Sequence, residues 1–296
     1  GAAGMTRAIL GIIGGSGVYD LPGLSDVREI ASAGPWGTPS APLRRGVLHG
    51  REVVFLPRHG HGHRLSPSDI NYRANIDAMK RAGVTDLIAV SACGSFREAL
   101  PPGSIVLVDQ FVDRTHRREA SFFGPGCVAH VSMAHPVGPA LQDMLVRAAD
   151  RAGIALTRGG TYVCMEGPQF SSLAESQTYR ALGYDVIGMT AMPEAKLARE
   201  AEITYATIAM VTDFDCWHPD HDHVTVTDVI RVLGENVAQA RRLIDAFLAD
   251  FPAARVPCPV GSHRALDHAL ITAPTARDPV VMARLDAVAG RVLARP

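Results

Sequence analysis

Two carboxylates separated by one residue, Asp213 and Asp215, end the apolar part of IAMVTDFDCWH, which runs from Ile208 to His218. Alternate residues of an extended chain point the same way, so both acids are predicted to crowd one spot at a strand end. Like charges so placed resist being ionised together, and the pair can share a proton or hold a ligand. The blander alternative is a helix or loop cap, because aspartate favours both positions. Aromatic neighbours Phe214 and Trp217, with Phe170 in the segment MEGPQFSS, add weight to the ligand reading. Flat rings beside carboxylates suit a flat heteroaromatic amine.

Other polar groups also sit where apolar runs stop. In GGSG, Gly14 to Gly17, bare backbone N–H groups and the Ser16 hydroxyl offer donors to an anion, although a plain turn needs the same glycines. Aligned from Gly15, a dinucleotide fingerprint meets Asp20 where its third glycine belongs, and no P-loop lysine follows. PRHGHGHR places the Arg58 guanidinium fork and the His59 imidazole at a strand end, a pairing suited to phosphate. His61 and His63 lack accompanying ligands at metal spacing and read as a solvated loop. SACGS, from Ser91, is suited either to an oxyanion or to close packing. HPDHDH, from His218 to His223, misses the HxHxDH metal spacing and reads as a polar loop.

Bulk properties narrow the class. The chain has 296 residues, a formal net charge of -1 and 47% hydrophobic residues. This is enough for a substantial core and argues against a general nucleic-acid binder, which needs a basic surface. No apolar run approaches the roughly 20 residues that span a bilayer, so no membrane partner is expected. The five cysteines are scattered without a CxxC pair, which favours reduced thiols and a cytoplasmic setting over zinc. GAAG before Met5 reads as an expression remnant, and residues 5–296 as one domain.

These groups need elements to hold them. AILGIIGGSG reads as a buried strand and a tight turn, and the runs around His49-Gly50 as a hairpin. SDINYRANIDAMKRAGVTDLIAVSA opens a helix with a cap candidate at Ser68 or Asp69, stops at Gly83 and resumes as a strand over Leu87 to Val90. PALQDMLVRAADRAGIAL stops likewise at Gly153. SSLAESQTYRALGYDVIGM has a capping box, Ser172 to Glu175, and a strand from Asp185 to Met189. A long helix is predicted over Thr227 to Asp250, with Val229, Ile230, Leu233, Val237, Ala240, Ile244 and Leu248 near one face. Beyond Pro252 the pattern weakens. The expectation is one α/β domain whose central mixed or parallel sheet is flanked by helices, with ligands beyond the carboxyl ends of strands.

Taken in order, GIIGGSG, RHG, NYRANI, SACGS, DQFVDRT, EGPQFSS, AES, GMTAMPEAKLARE and TDFDCW resemble the trimeric purine nucleoside phosphorylase family, in the branch that cleaves 5′-methylthioadenosine. The match runs from about residue 9 to residue 250, and the set is far more specific than any one motif. The resemblance implies a central mixed sheet, a homotrimer, no metal and no cofactor. Inorganic phosphate serves as co-substrate, and adenine and 5-methylthioribose 1-phosphate are the products, in purine and methionine salvage. It implies a phosphate site of Ser16, Arg58, His59, Ser91, Ala92 and Thr190; Met189 under the ribose; Phe170 on the purine; and His130 reaching a neighbouring subunit. Ser16 and Ser91 stand where threonine is common, which keeps the hydroxyl. Val226, near the place of a histidine that binds a 5′-hydroxyl in relatives, joins Val229 and Ile230 in an apolar 5′ pocket. On this resemblance, Asp213 is expected to protonate purine N7 and Asp215 to hold the exocyclic amine. The nearest alternative is a phosphorylase of methylthioinosine, adenosine or inosine-type nucleosides. A binding module without catalysis and a dinucleotide oxidoreductase stand further off.

Overall fold

The computed structural model describes residues 6–221 and 223–293, apart from the side chain of Ser16. The segment Gly1–Gly4, read above as an expression remnant, lies outside the described residues. Strand β1 (Leu10–Gly14) lies between β4 (Arg51–Pro57) and β5 (Asp86–Ser95), parallel to both. A strand with covered neighbours and covered faces needs no polar alternation, which is why LGII reads as a continuous apolar run. β3 (Leu43–Leu48) and β4 form the expected hairpin. His49 and Gly50 at its tip take φ of 52° and 72°, the two-residue turn whose twist matches the strands. β2 (Ser25–Ile30) adds an edge to β3.

On the other side of β5 runs β11 (Thr204–Asp213), parallel, followed by β6 (Ile105–Val108), antiparallel, and β8 (Thr157–Arg158). The carboxyl half of β5 also pairs with β10 (Val186–Gly188), and from there pairing passes to β9 (Thr161–Cys164) and β7 (Gln110–Asp113). Only Asp109 separates β6 from β7. The path β5–β10–β9–β7/β6–β11 therefore returns to β5 and closes a small barrel beside the open sheet. β5 runs well past the predicted Val90 because its tail is made of small residues. A Cβ on Gly94 would lie 2.7 Å from Asp213 Oδ1 and 3.1 Å from Ile187, so only bare backbone fits where β10 and β11 converge.

Helices cover both faces of the sheet. Leu10, Ile12, Val53 and Phe55 pack with α2 (Pro139–Ala152) and α5 (Val226–Ala249); Ile9, Ile13, Val54 and Leu56 pack with α1 (Tyr72–Arg81) and α4 (Ala191–Glu200). The period of two along β1 and β4 thus divides their side chains between two cores. Helix α1 starts later than expected: its cap is Asn71, whose Oδ1 accepts from Ala74 N at 3.0 Å, and Ser68 instead bonds Glu166. The face of α5 also differs from its predicted stripe. Ala240, Ile244 and Leu248 are buried with Val232, Asn236, Leu243 and Phe247, whereas Ile230 is exposed. Burial begins only at Val232: Val226 and Ile230, in the opening residues of the helix, are each 63% exposed.

After Pro252 the chain forms α6 (Pro279–Arg284) and α7 (Gly290–Leu293), with Leu285, Val288 and Ala289 buried against the α1 side. Helices this short leave no readable period. Helix α3 (Leu173–Ala181) carries the predicted capping box: Ser172 Oγ accepts from Glu175 N at 3.2 Å, and Ser172 N donates to Glu175 Oε1 at 2.9 Å. Ser172→Ala is expected to cost about 1 kcal/mol. In urea the unfolding midpoint should fall with the slope unchanged.

Candidate active site

Because β1, β4, β5 and β11 are parallel, their carboxyl ends share one edge, the usual place for a ligand in such a sheet. The glycine turn after β1 is pinned there. Tyr19 Oη donates to Gly14 O at 2.8 Å, Arg58 N donates to the same oxygen at 3.1 Å, and Arg241 Nε donates to Gly17 O at 2.6 Å. Ser91 and Ala92 follow on β5. β10 runs antiparallel along the tail of β5, so Met189 and Thr190, which follow it, are carried back toward Ala92 and Ser91. The Thr190 side chain makes no capping bond to α4. Ser16 opens the turn at this edge, but its side chain lies outside the described residues.

Arg58 is held more tightly than its sequence context suggests. It is 3% exposed and donates to both oxygens of Glu194, at 2.8 and 3.0 Å, to Val90 O at 3.2 Å and to Ile13 O at 3.3 Å. Four of its five N–H groups are so committed, which leaves one Nη1 N–H and a fixed positive charge for an anion. His59 Nδ1 bonds Leu65 O at 2.9 Å, which puts its proton on that nitrogen and leaves Nε2 as an acceptor. Burial, and then the Arg58 charge, lower the His59 pKa to about 4. The ring stacks on His63 at 4.0 Å.

The two acids meet in a way that strand alternation does not describe. Pairing with β5 shifts register between Val211 and Asp213, the strand ends, and Asp215 takes φ of 52°. Asp213 Oδ1 accepts the Asp215 N–H at 2.8 Å, and Oδ2 accepts Thr212 Oγ1–H at 2.7 Å. Asp213 caps its own turn, and that turn delivers Asp215 to the same spot, so the cap and the ligand readings coexist. Burial above all, with the Asp215 charge adding, pushes Asp213 from 3.8 up to about 6. Burial also raises Asp215, opposed by the nearby Ser176 and Ser171 hydroxyls. Neither hydroxyl makes a hydrogen bond to Asp215 Oδ2, however: Oδ2 and Ser176 Oγ are both buried without a partner among the described residues.

Around the acids, Phe170 is 40% exposed and Val226 and Ile230 are each 63% exposed, while Val229 and Met189 are half-buried. Asp228, on the first turn of α5, adds its field at Asp213, so the start of α5 overlooks the pair. His130 is placed elsewhere. It lines a cleft of about 440 Å³ with Arg199, at the opposite end of α4 from Thr190, and its N–H bonds Ala269 O. His218 is not in a solvated loop, as HPDHDH suggested, but is buried against Phe214.

Two structural residues escaped the sequence. Glu194 is the counter-charge of Arg58 and also accepts from Tyr205 Oη at 2.8 Å. Arg118 donates to Met189 O and Met192 O, each at 2.6 Å, and to Glu166 O at 2.9 Å, tying the Met189–Thr190 turn to the Phe170 loop. As one of two adjacent arginines in a polar stretch, Arg118 carries no pattern that sets it apart. Removing one partner of a buried ion pair strands the other charge, so Glu194→Gln is expected to lower stability by about 3–5 kcal/mol in denaturant unfolding.

Comparison with known proteins agrees with this geometry. Residues 9–249 match the Phosphorylase superfamily. An S-methyl-5′-thioadenosine phosphorylase of Bradyrhizobium diazoefficiens is 71% identical over 98% of this chain and 99% of its own length. Among solved structures, a methylthioadenosine phosphorylase from an antarctic soil metagenomic library is 46% identical with a TM-score of 0.87, covering 96% of this chain and 99% of that one. The methylthioadenosine phosphorylase of Schistosoma mansoni in complex with adenine is 37% identical with a TM-score of 0.76, over 82% of this chain and 91% of that one. With its strand-end glycine turn, buried Arg58 and paired acids, the chain belongs to the phosphorylase superfamily.

Proposed function

We propose that the protein cleaves 5′-methylthioadenosine with inorganic phosphate, giving adenine and 5-methylthioribose 1-phosphate. The observation that carries this reading is Asp215, a residue only 5% exposed, whose Oδ2 is buried with no hydrogen-bond donor among the described residues. A buried acceptor lacking its hydrogen bond costs about 1–3 kcal/mol, a penalty that an arriving N–H donor removes. The exocyclic amine of adenine is such a donor; the oxo group of hypoxanthine is not.

In this scheme phosphate sits among Ser16, Arg58, His59, Ser91, Ala92 and Thr190, beneath the anomeric carbon. Neutral His59 can accept from a protonated phosphate oxygen through Nε2, while Arg58 supplies the positive field. A phosphate oxygen bonds to C1′ as the C1′–N9 pair leaves with the purine, and Asp213 gives its proton to N7. Phosphate then balances the positive charge that gathers on the sugar. Met189 lies under the ribose and Phe170 packs on the base. Val226, Val229 and Ile230 receive the methylthio group, for which apolar surface is better than for a bare hydroxyl. The exposure of Val226 and Ile230 in a single chain is in keeping with a site finished by a neighbour, as is the separation of His130 from the acids. A homotrimer in the cytoplasm is part of the same proposal, and the chemistry needs no cofactor or metal.

Methylthioadenosine, methylthioinosine and adenosine, assayed side by side, test the substrate. Adenine release should require phosphate, and the 6-oxo analogue should be disfavoured on the order of 10⁴-fold in kcat/KM. Comparable rates for methylthioinosine would overturn the assignment of Asp215.

The general acid has its own signature. Asp213→Asn is expected to lower turnover about 10²–10⁴-fold, with phosphate affinity nearly unchanged. Since Asp213 must begin protonated, wild-type kcat/KM should fall as pH rises above about 6, and the variant should lack that limb. The folded value lies above the unfolded one, so the folded state binds more protons between about 4 and 6 and this group makes stability decline as pH climbs through that window. Asn removes that decline. Its amide can donate to Thr212 Oγ1, whose proton turns to Cys93 O at 3.3 Å.

A further inference from the structure

The loop that follows the acids is fastened at two successive residues, one to the last residue of β5 and one to the turn just beyond that strand. Trp217 Nε1 donates to Ser95 O at 2.7 Å, with the Arg180 guanidinium 4.1 Å above the indole. His218, 9% exposed, accepts Asp220 N–H on Nδ1 at 3.1 Å. Its proton is therefore on Nε2, which lies 2.9 Å from Glu98 Oε1. The His218 ring lies 4.6 Å from Phe214, the residue between the acids, and Trp217 and His221 complete the wall around Phe214 at 5.7 and 4.9 Å. Phe214 is buried.

We propose that His218 and Glu98 are positioning residues for the acid pair: their bond clasps the Phe214–His221 loop onto the turn that follows β5, holding Asp215 in its left-handed conformation and water away from Asp213. The inference rests on the phosphorolysis reading above. An aspartate at φ of 52° stays there only where its surroundings over-determine it. The capping bond from Asp213 fixes one side of the turn, and the clasp fixes the other. Glu98 is exposed at its own end, but the histidine end is buried, so losing Glu98 strands a buried N–H. Without the clasp, Phe214 loosens, water reaches Asp213, and the carboxyl ionises more readily.

The test uses His218→Ala, His218→Gln and Glu98→Ala in the full chain. The first and third should lower kcat/KM for methylthioadenosine about tenfold and move the alkaline limb of its pH profile down by about half a unit or more. Phosphate affinity should stay within about twofold. His218→Gln, which keeps an N–H toward Glu98, should recover most of both. Acrylamide quenching of Trp217 should rise in the alanine variants and not in the glutamine one. A His218→Ala profile superimposable on wild type would overturn the proposal, as would equal losses in the alanine and glutamine variants together with lost phosphate binding. Adenine affinity, read calorimetrically, separates this failure from failure of the function itself. If wild type does not cleave methylthioadenosine, about tenfold weaker adenine binding by His218→Ala still supports the clasp, and unchanged binding refutes it.

Discussion

One buried ion pair organises the working edge of this protein. Arg58, just past β4, reaches across the carboxyl end of β1 and the middle of β5 to bond Ile13 O and Val90 O, and closes on Glu194 of α4. Tyr205 of β11 joins from the other side through Glu194. The two charges are removed from water, where each alone is costly, and the bidentate geometry with further hydrogen bonds makes the burial tolerable. Three parallel strands and a helix are thereby fixed relative to one another at the place where an anion would bind. Arg58 keeps its positive charge throughout the physiological pH range: burial would lower its pKa, but Glu194 beside it outweighs that and raises an already high value.

The acid pair follows the opposite logic. Arg58 has its counter-charge and nearly all its donors satisfied, whereas Asp213 is held far above its ordinary pKa and Asp215 keeps an oxygen unpaired among the described residues. Both features oppose folding slightly, and both suit the proposed roles of donating one proton and accepting one amine. Rigid elements secured elsewhere let this spot remain unsatisfied. Gly94 shows how close the fit is, since even a methyl group there would meet the Asp213 carboxylate.

Much of this was legible in the sequence, and for definite reasons. Buried strands ending in glycine, small residues or charge announced the strand-end site, and Gly83 and Gly153 marked where helices stop. The capping box at Ser172 needed only local chemistry, and the structure keeps it. Alternation along a strand predicts that Asp213 and Asp215 meet, but they are neighbours through a turn that one of them caps. Asn71 displaced Ser68 and Asp69 as the cap of α1 because Ser68 is drawn to Glu166, far away in sequence.

What the sequence determined by itself was everything set by local order: where apolar runs stop, which residues can turn or cap, and which polar groups stand at strand ends. Only the tertiary structure decided which of those groups face one another. Glu194 became the partner of Arg58, Arg118 the tie between two loops, and His218 a buried contact of Phe214, because β5 is shared by an open sheet and a closed barrel. Such pairings span long sequence separations. Their energies come from burial and from partners that the fold brings together, and a one-dimensional pattern holds no record of either.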